Sequence, residues 1–195
     1  MGSTVTVSID GMGGDDAPEM IIEGIELACK KNKNIYFLIF GDETILSDLL
    51  TRHPNAQAVS EVRHAPDIVS MNDKPTTALR SGKSSSMRLA IDAVKRKEAS
   101  AVVSAGNTGA LMAMATIVLK MMPGISRPAI VTSFPTQNGD CVMLDLGANI
   151  ECDANNLVQF AVMGEVFARY ELDIDPPFGC DSECWGRGIK RQCSC

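Results

Sequence analysis

The chain has 195 residues, 45% of them hydrophobic and 22% charged, with a formal net charge of −6. That length admits one sizeable domain, or a domain plus a fragment, with enough apolar residues for a core. The acidic balance argues against general nucleic-acid binding, which needs cations to neutralise phosphates, and no basic-then-apolar secretory signal opens the sequence.

In chain order, TVTVSID (4–10) is a β-branched run that predicts a strand ending at Asp10. APEMIIEGIELACKK (17–31) has helical apolar spacing, with Met20, Ile21, Ile25 and Ala28 on one face and Pro18 in its first turn. NIYFLIFG (34–41) predicts a buried strand, ETILSDLLTR (43–52) a short helix, and AVSEVRHAP (58–66) a strand running into a loop. SSSMRLAIDAVKRKEA (84–99) predicts a helix with serine at its N-cap. SAVVSAG (100–106) is a further strand, and NTGALMAMATIVLKMM (107–122) a helix stopped by Pro123 and Gly124. Its apolar run is too short to span a bilayer. PAIVTSF (128–134) and DCVMLDLG (140–147) predict two more strands, and DANNLVQFAVMGEVFARY (153–170) a helix capped by Asp153.

Strand and helix alternating at this spacing predict an α/β fold: a doubly wound, mostly parallel sheet with helices on both faces. In such a sheet, ligands bind beyond the carboxyl ends of the strands. Four segments there have unusual composition. SAGNTGA (104–110) places Gly106 and Gly109 around Asn107 and Thr108 at a helix start, where free backbone N–H groups favour an anion. The same residues would equally make a well-capped turn. ALRSGKSSSMR (78–88) is read as a loop carrying Arg80, Lys83, Ser84 and Ser85, cations and hydroxyls suited to phosphate. It lacks the earlier glycine and preceding strand of an NTPase loop, and taken alone it reads as an exposed basic loop capped by Ser.

DGMGGDDAP (10–18) sets Gly11, Gly13 and Gly14 among Asp10, Asp15 and Asp16. The last glycine of a dinucleotide fingerprint is missing, since Asp16 stands there, and the carboxylates would repel a pyrophosphate. DLGAN (145–149) offers Asp145 and Asn149 across a glycine turn, as site groups or as plain turn chemistry. His53 and His64 lie outside these segments, which argues against a Ser-His-Asp triad. Cys29, Cys141 and Cys152 sit singly, as inert thiols of a reduced protein would. No cofactor and no metal is implied in the body of the chain. The four loops together favour phosphate or a phosphorylated ligand.

MGGDDAPE, RSGKSSSMRLAIDAVK, VSAGNTGALMA, GISRPAI and LDLGANIECDANNLVQFAVMG resemble the acyl-carrier-protein-dependent phosphate acyltransferase family. The resemblance runs from about Val5 to about Ile174 and covers roughly the first half of the family's usual length. Gly11 stands where the family often has Ala, and Asp16 where His is common. The resemblance implies a cytoplasmic transferase that moves a fatty acyl group from acyl carrier protein to inorganic phosphate, giving acyl phosphate for phospholipid synthesis. It also implies a homodimer at full length, peripheral contact with the inner face of the membrane, and a downstream glycerol-3-phosphate acyltransferase.

Phosphate is then the nucleophile and a thiolate the leaving group. The site must hold an anion beside a thioester carbonyl and stabilise the oxyanion. Asn107, Thr108 and Lys83 are the expected catalytic contacts. Ser84, Ser85, Arg80, Gly106, Gly109, Asp10, Gly13, Gly14, Asp15, Asp145 and Asn149 are the expected substrate-binding groups. The carrier is itself acidic, so docking needs a local basic patch, which Lys95, Arg96 and Lys97 or Lys30, Lys31 and Lys33 would supply. Two other classes stand as alternatives: an NAD-dependent dehydrogenase of related architecture, and a non-enzymatic phosphate- or zinc-binding module.

Residues 1–175 are expected to be the N-terminal part of the acyltransferase domain, and 176–195 an aberrant tail. The tail holds four of the seven cysteines, the only Trp and a net charge of +1, leaving −7 for the rest. Family members continue instead with a buried strand and a glycine-glutamate motif. Codons allowed from Pro177, read one nucleotide later, give Arg-Leu-Ala-Ala-Ile-Leu-Asn-Val-Gly-Glu-Glu-Glu-Leu-Lys-Gly-Asn-Ala, which implies a frameshift. The rival, a zinc knuckle from Cys180, Cys184, Cys193 and Cys195, fits known zinc spacings poorly. A chain lacking half its domain is expected to be unstable or inactive, with an unpaired sheet edge.

Overall fold

In the computed structural model, residues 4–137, 139–145 and 152–174 are described. The chain divides into two units, the first ending at Lys120 and the second beginning at Met121. Asn149 and the tail 176–195 lie outside the described residues.

The first unit is built on four parallel strands: β1 (Val5–Asp10), β2 (Ile35–Gly41), β3 (Ser60–His64) and β4 (Ala101–Val103). Their order is β3-β2-β1-β4, with Val5 opposite Ile35 and Ile9 opposite Val103. Helices α1 (Glu19–Lys31), α2 (Glu43–Thr51), α3 (Pro54–Ala58), α4 (Pro75–Ser81), α5 (Ser86–Lys95) and α6 (Thr108–Leu119) connect them.

Strand β2 shows why both faces must be covered. Side chains alternate across a strand. Phe37 and Ile39 join Ile9, Ile22, Ile25, Leu46 and Leu49 in one core. Leu38 and Phe40 face the other way, into a core with Ala65, Ala90 and Ala93. A continuous apolar strand therefore needs α1 and α2 on one side and α5 on the other. A third core joins Val69, Ala78, Met87, Ile91, Ala110 and Met114 from α4, α5 and α6.

Two details differ from the sequence reading. In α1 the fully buried residue is Ile22, while Met20 is 40% exposed, so the apolar face is rotated toward Ile22 and Ile25. Residues 78–81 are not loop but the end of α4, whose Pro75 occupies the first helical turn, where its missing N–H costs nothing.

The second unit pairs β5 (Val131–Thr136) with β6 (Gly139–Leu144) as an antiparallel hairpin. No crossover helix separates them, so they close by a tight turn where the first unit's strands need helical crossovers. Helix α7 (Ala154–Glu171) is capped by Asp153, whose carboxylate accepts from the Asn156 amide while Asn156 accepts from the Asp153 amide. Asn156 also donates to Ser126 Oγ, and the Ser126 hydroxyl and amide both donate to Gln159. A side chain at Gly164 would meet Leu144 at 2.8 Å, so the glycine lets α7 approach β6. Among the described residues, no helix is long and apolar enough to cross a membrane.

Candidate active site

The strand order reverses between β1 and β4: the chain winds outward from β1 to β3, then returns to add β4 on β1's other side. The loops leaving β1 and β4 part in opposite directions there, which opens a crevice at the carboxyl edge. Both carry glycine, and the packing explains why. A Cβ on Gly13 would sit 2.3 Å from Asp10 Oδ2 and 3.0 Å from the Gly106 amide nitrogen. A Cβ on Gly106 would lie 3.2 Å from Gly13 Cα and 3.1 Å from Met87 Cε of α5. Gly14 holds φ at +118°, in the region that favours glycine.

Asp10 closes the floor of this crevice. It is 1% exposed. Its carboxylate accepts from Ser104 Oγ at 2.7 Å and from the Met12 amide at 3.3 Å. Ser104 in turn accepts from the Gly106 amide. Ser104 carries this lock and was not singled out in the sequence, where it is one of many serines. Asp15 lies exposed in the same β1 loop.

Asn107 caps α6: its Oδ1 accepts from the Ala110 amide at 3.0 Å. Its Nδ2 donates to the carbonyls of Ser70, Met71 and Asp73 at 3.1, 3.0 and 2.9 Å. The side-chain amide is therefore committed to backbone, and it ties the 70–73 loop to the α6 start. The Thr108 and Gly109 amides, next in the first turn, have no acceptor among the described residues. A helix start so arranged attracts an anion. Gly109 packs against Pro75, where a Cβ would approach Cγ to 2.9 Å.

Ser85 is the N-cap of α5 and is fully buried; its hydroxyl accepts from the Arg88 amide and donates to the Gly82 carbonyl. Ser84 donates to Asp67 at 2.6 Å. Arg80 and Lys83 are exposed, and among the described residues neither pairs with a carboxylate. Arg80 follows the buried Ala78 by two residues, which turns it to the solvent face of α4.

The structure thus brings together, in the first unit, Asp10, Gly13 and Gly14 with Gly106, Asn107, Thr108 and Gly109, and sets the 80–85 segment against α6 through Gly82, whose Cβ would meet Met114 at 2.9 Å. Asp145 belongs to the second unit, where it accepts a weak bond from Cys152 Sγ at 3.5 Å. The sequence reading missed the 66–73 loop. Together with Ala78, Ser81 and Gly82, its residues Pro66, Asp67, Ile68, Val69 and Asp73 line a hollow of about 390 Å³. The signal was present as Lys74-Pro75, an extended residue leading into a helix-starting proline.

The two basic patches expected for docking lie elsewhere. Lys30, Lys31 and Lys33 precede β2, and Lys95, Arg96 and Lys97 precede β4, so both sit at the amino edge of the sheet. Six residues of strand separate that edge from the crevice, about 20 Å at the usual rise. Arg96 is paired with Glu98, and Lys30 lies 4.0 Å from Glu26. Cys29 is partly buried, which pushes its thiol pKa up, as does nearby Glu26; it is no activated nucleophile. Among the described residues, no cluster of three His, Cys, Asp or Glu side chains could hold a metal ion.

Comparison with known proteins gives a consistent picture. The family described as "Fatty acid synthesis protein" matches residues 5–181. A phosphate acyltransferase of Rhodospirillum centenum is 56% identical over 177 residues, covering 91% of this chain and 50% of that protein. One from Rhodospirillum rubrum is 53% identical over 177 residues, covering 91% of this chain and 51% of that protein. The chain spans about half the length of these relatives. Among solved structures, a phosphotransacetylase from Streptococcus pyogenes superimposes with a TM-score of 0.64, covering 88% of this chain and 55% of the other, at 20% identity. That likeness shows a shared α/β fold.

Proposed function

Since the chain belongs to the fatty acid synthesis protein family, we propose that it carries the phosphate-binding half of an enzyme that transfers a fatty acyl group from acyl carrier protein to inorganic phosphate. The observation that carries this reading is its 56% identity to a phosphate acyltransferase along a stretch that includes every loop of the crevice. The dehydrogenase alternative is disfavoured by the same identity and by Asp16 in place of the fingerprint's last glycine.

In this reading, phosphate lies at the start of α6, bound by the Thr108 and Gly109 amides and the Thr108 hydroxyl, with Arg80 and Lys83 supplying charge from the neighbouring segment. A phosphate oxygen attacks the thioester carbonyl. The tetrahedral oxyanion forms, then collapses with cleavage of the C–S bond. Acyl phosphate leaves, and the carrier departs as its thiolate. Lys83 stabilises the oxyanion. Asn107, Ser85, Asp10 and the glycines at 13, 14 and 106 act as positioning residues, because their polar atoms or close backbone contacts hold the loops in place. Ser84, Asp15, Asp145 and Asn149 remain substrate-binding candidates in the complete enzyme.

The reading extends to a homodimer, to a cytoplasmic enzyme in peripheral contact with the inner face of the membrane, and to a downstream glycerol-3-phosphate acyltransferase that consumes the product. The test is hydroxylamine capture with the chain extended to the length of its relatives. Above the enzyme-free background of direct thioester aminolysis, acyl hydroxamate should form from acyl carrier thioester only when inorganic phosphate is present. Thioester consumption without phosphate dependence would overturn the reading.

A further inference from the structure

We propose that Ser86 is a positioning residue of the crevice: its hydroxyl, through one buried water, holds the Asp10 carboxylate from the α5 side. This rests on the acyltransferase reading above and adds a residue to that site. It is carried by a hydroxyl without a partner, by the register of α5 on β1, and by the bonds that leave Asp10.

Ser86 is the first residue of α5 and is 1% exposed. Its Oγ is buried and has no hydrogen-bond partner among the described residues. Its amide is engaged, donating to the Asp67 carbonyl. The hydroxyls before it are engaged too, Ser85 on the cap and Ser84 on Asp67. Buried polar atoms are nearly always satisfied, because an unpaired one forfeits its hydration for nothing. The next amide, that of Met87, also has no acceptor among the described residues.

The register says what Ser86 stands over. Ser8 Oγ donates to the Ala90 carbonyl at 2.8 Å, which pins the middle of α5 to β1. The helix runs opposite to the strands: Ser86 joins Asp67 beyond the carboxyl end of β3, while Ser100, past its last turn, bonds Thr6 near the start of β1. Asp10 is two residues beyond Ser8 on the same face of β1, about 6.6 Å toward the carboxyl edge. Ser86 is one turn before Ala90 on the same face of α5, about 6 Å in that direction. The two steps match, so Ser86 lies over Asp10. Met87 agrees with this height, since its Cε lies 3.1 Å from where a Cβ on Gly106 would sit.

Asp10 has capacity for a further donor. A carboxylate offers about four acceptor positions, and Asp10 is engaged by Ser104 Oγ and the Met12 amide. A buried water makes about three hydrogen bonds to groups otherwise unsatisfied. Ser86 Oγ, the Met87 amide and Asp10 supply them. The effect reaches the proposed phosphate site. Asp10 holds Ser104, and Ser104 holds the Gly106 amide, just ahead of the free amides of Thr108 and Gly109. Support at Ser86 therefore acts on phosphate binding and not on the thioester.

Ser60 provides the control. Its Oγ is also buried without a partner among the described residues, but it lies at the amino end of β3. Amide exchange is measured in the 195-residue chain. Ser86→Ala should speed exchange of the Met12 and Gly106 amides about tenfold, and Ser60→Ala should leave both at the parent rate. Phosphate KM is measured in the chain extended to the length of its relatives. Ser86→Ala should raise it about tenfold with the KM for acyl carrier thioester unchanged, and Ser86→Thr, which keeps the hydroxyl, should recover part of the loss. The inference is overturned if Ser86→Ala leaves both amides at the parent rate, or if Ser86→Ala and Ser60→Ala share one phosphate KM. The acyltransferase reading fails separately. If Ser86→Ala speeds exchange while the extended parent makes no acyl phosphate, the positioning role stands and the reaction does not.

Discussion

Strand β2 in the first unit and helix α7 in the second are both rich in apolar residues, yet they end up in opposite environments. Ile39 of β2 is 0% exposed, with α1 and α2 on its side and α5 on the other. On α7, Val158, Val162, Val166 and Tyr170 recur every fourth residue and are 62, 52, 51 and 81% exposed. The hairpin covers one side of α7, and its buried apolar residues are Phe160 and Ala168. An apolar side chain contributes to stability only in proportion to the area removed from water. The first unit has three layers to do this and the second has two, so equal hydrophobicity gives unequal stabilisation.

The largest effect expected from this contrast is at Ile39. Ile39→Ala should cost about 2–5 kcal/mol, because it opens a cavity between the sheet and its helices. Urea unfolding would measure it; a loss below about 1 kcal/mol would mean that the first unit is loosely packed.

Gly13→Ala comes next. The added methyl has a carboxylate oxygen at 2.3 Å and a backbone nitrogen at 3.0 Å, so two loops must shift, at about 1–3 kcal/mol. If the proposed reaction stands, acyl phosphate formation by the chain extended to the length of its relatives should also fall, since the crevice itself is displaced.

Asn107 separates capping from tethering. Asn107→Ala removes both and should cost about 1–2 kcal/mol. Asn107→Asp keeps the acceptor for the Ala110 amide but sets a carboxylate against three carbonyls. If Asn107 positions the 70–73 loop, the Asp variant keeps the helicity of α6 while amide exchange across residues 70–73 speeds up; unchanged exchange would remove that role.

A smaller effect lies at the edge of the sheet. Hydrogen bonds from Arg96, and then from Arg63, hold the Glu98 carboxyl below its usual range. A carboxylate favoured in the folded state stabilises above its unfolded pKa, and the contribution disappears as pH falls through the lowered folded value. Unfolding midpoints of the parent chain and Glu98→Gln should therefore differ at neutral pH and converge in acid. Added salt should shrink the difference, since the pair is exposed.

Val162→Ser should change stability by no more than about 0.5 kcal/mol. A loss above 1 kcal/mol would show that the α7 stripe is covered in solution and would erase the contrast with β2.

Much of this protein was legible in the residues. A β-branched run and a continuous apolar run placed β1 and β2, helical apolar spacing placed α1, and cap or stop residues bounded α5 and α6. Ser85, Asn107 and Asp153 were readable as helix caps, because short polar side chains satisfy the free amides of a first turn. Gly106 was readable as a tight turn, while its close approach to Gly13 came only with the fold. The readable features are local, set by dihedral preference and by hydrogen bonds a few residues long.

Other features required the fold. Nothing local says that Asn107 donates to carbonyls more than 30 residues earlier, or that Ser104 holds Asp10 across 94 positions. Those pairings exist because the strand order reverses at β1 and β4. That the basic runs at 30–33 and 95–97 lie at the amino edge, away from the crevice, follows from the parallel sheet and not from the runs themselves. The hairpin of β5 and β6 follows from a connection too short for a parallel crossover, and Ile22 outranked Met20 because the sheet sets the rotation of α1. Sequence fixes which residues can make a turn, a cap or a core face, since those depend on neighbours along the chain. Which of them meet at the crevice depends on strand order, and strand order is decided by long-range burial.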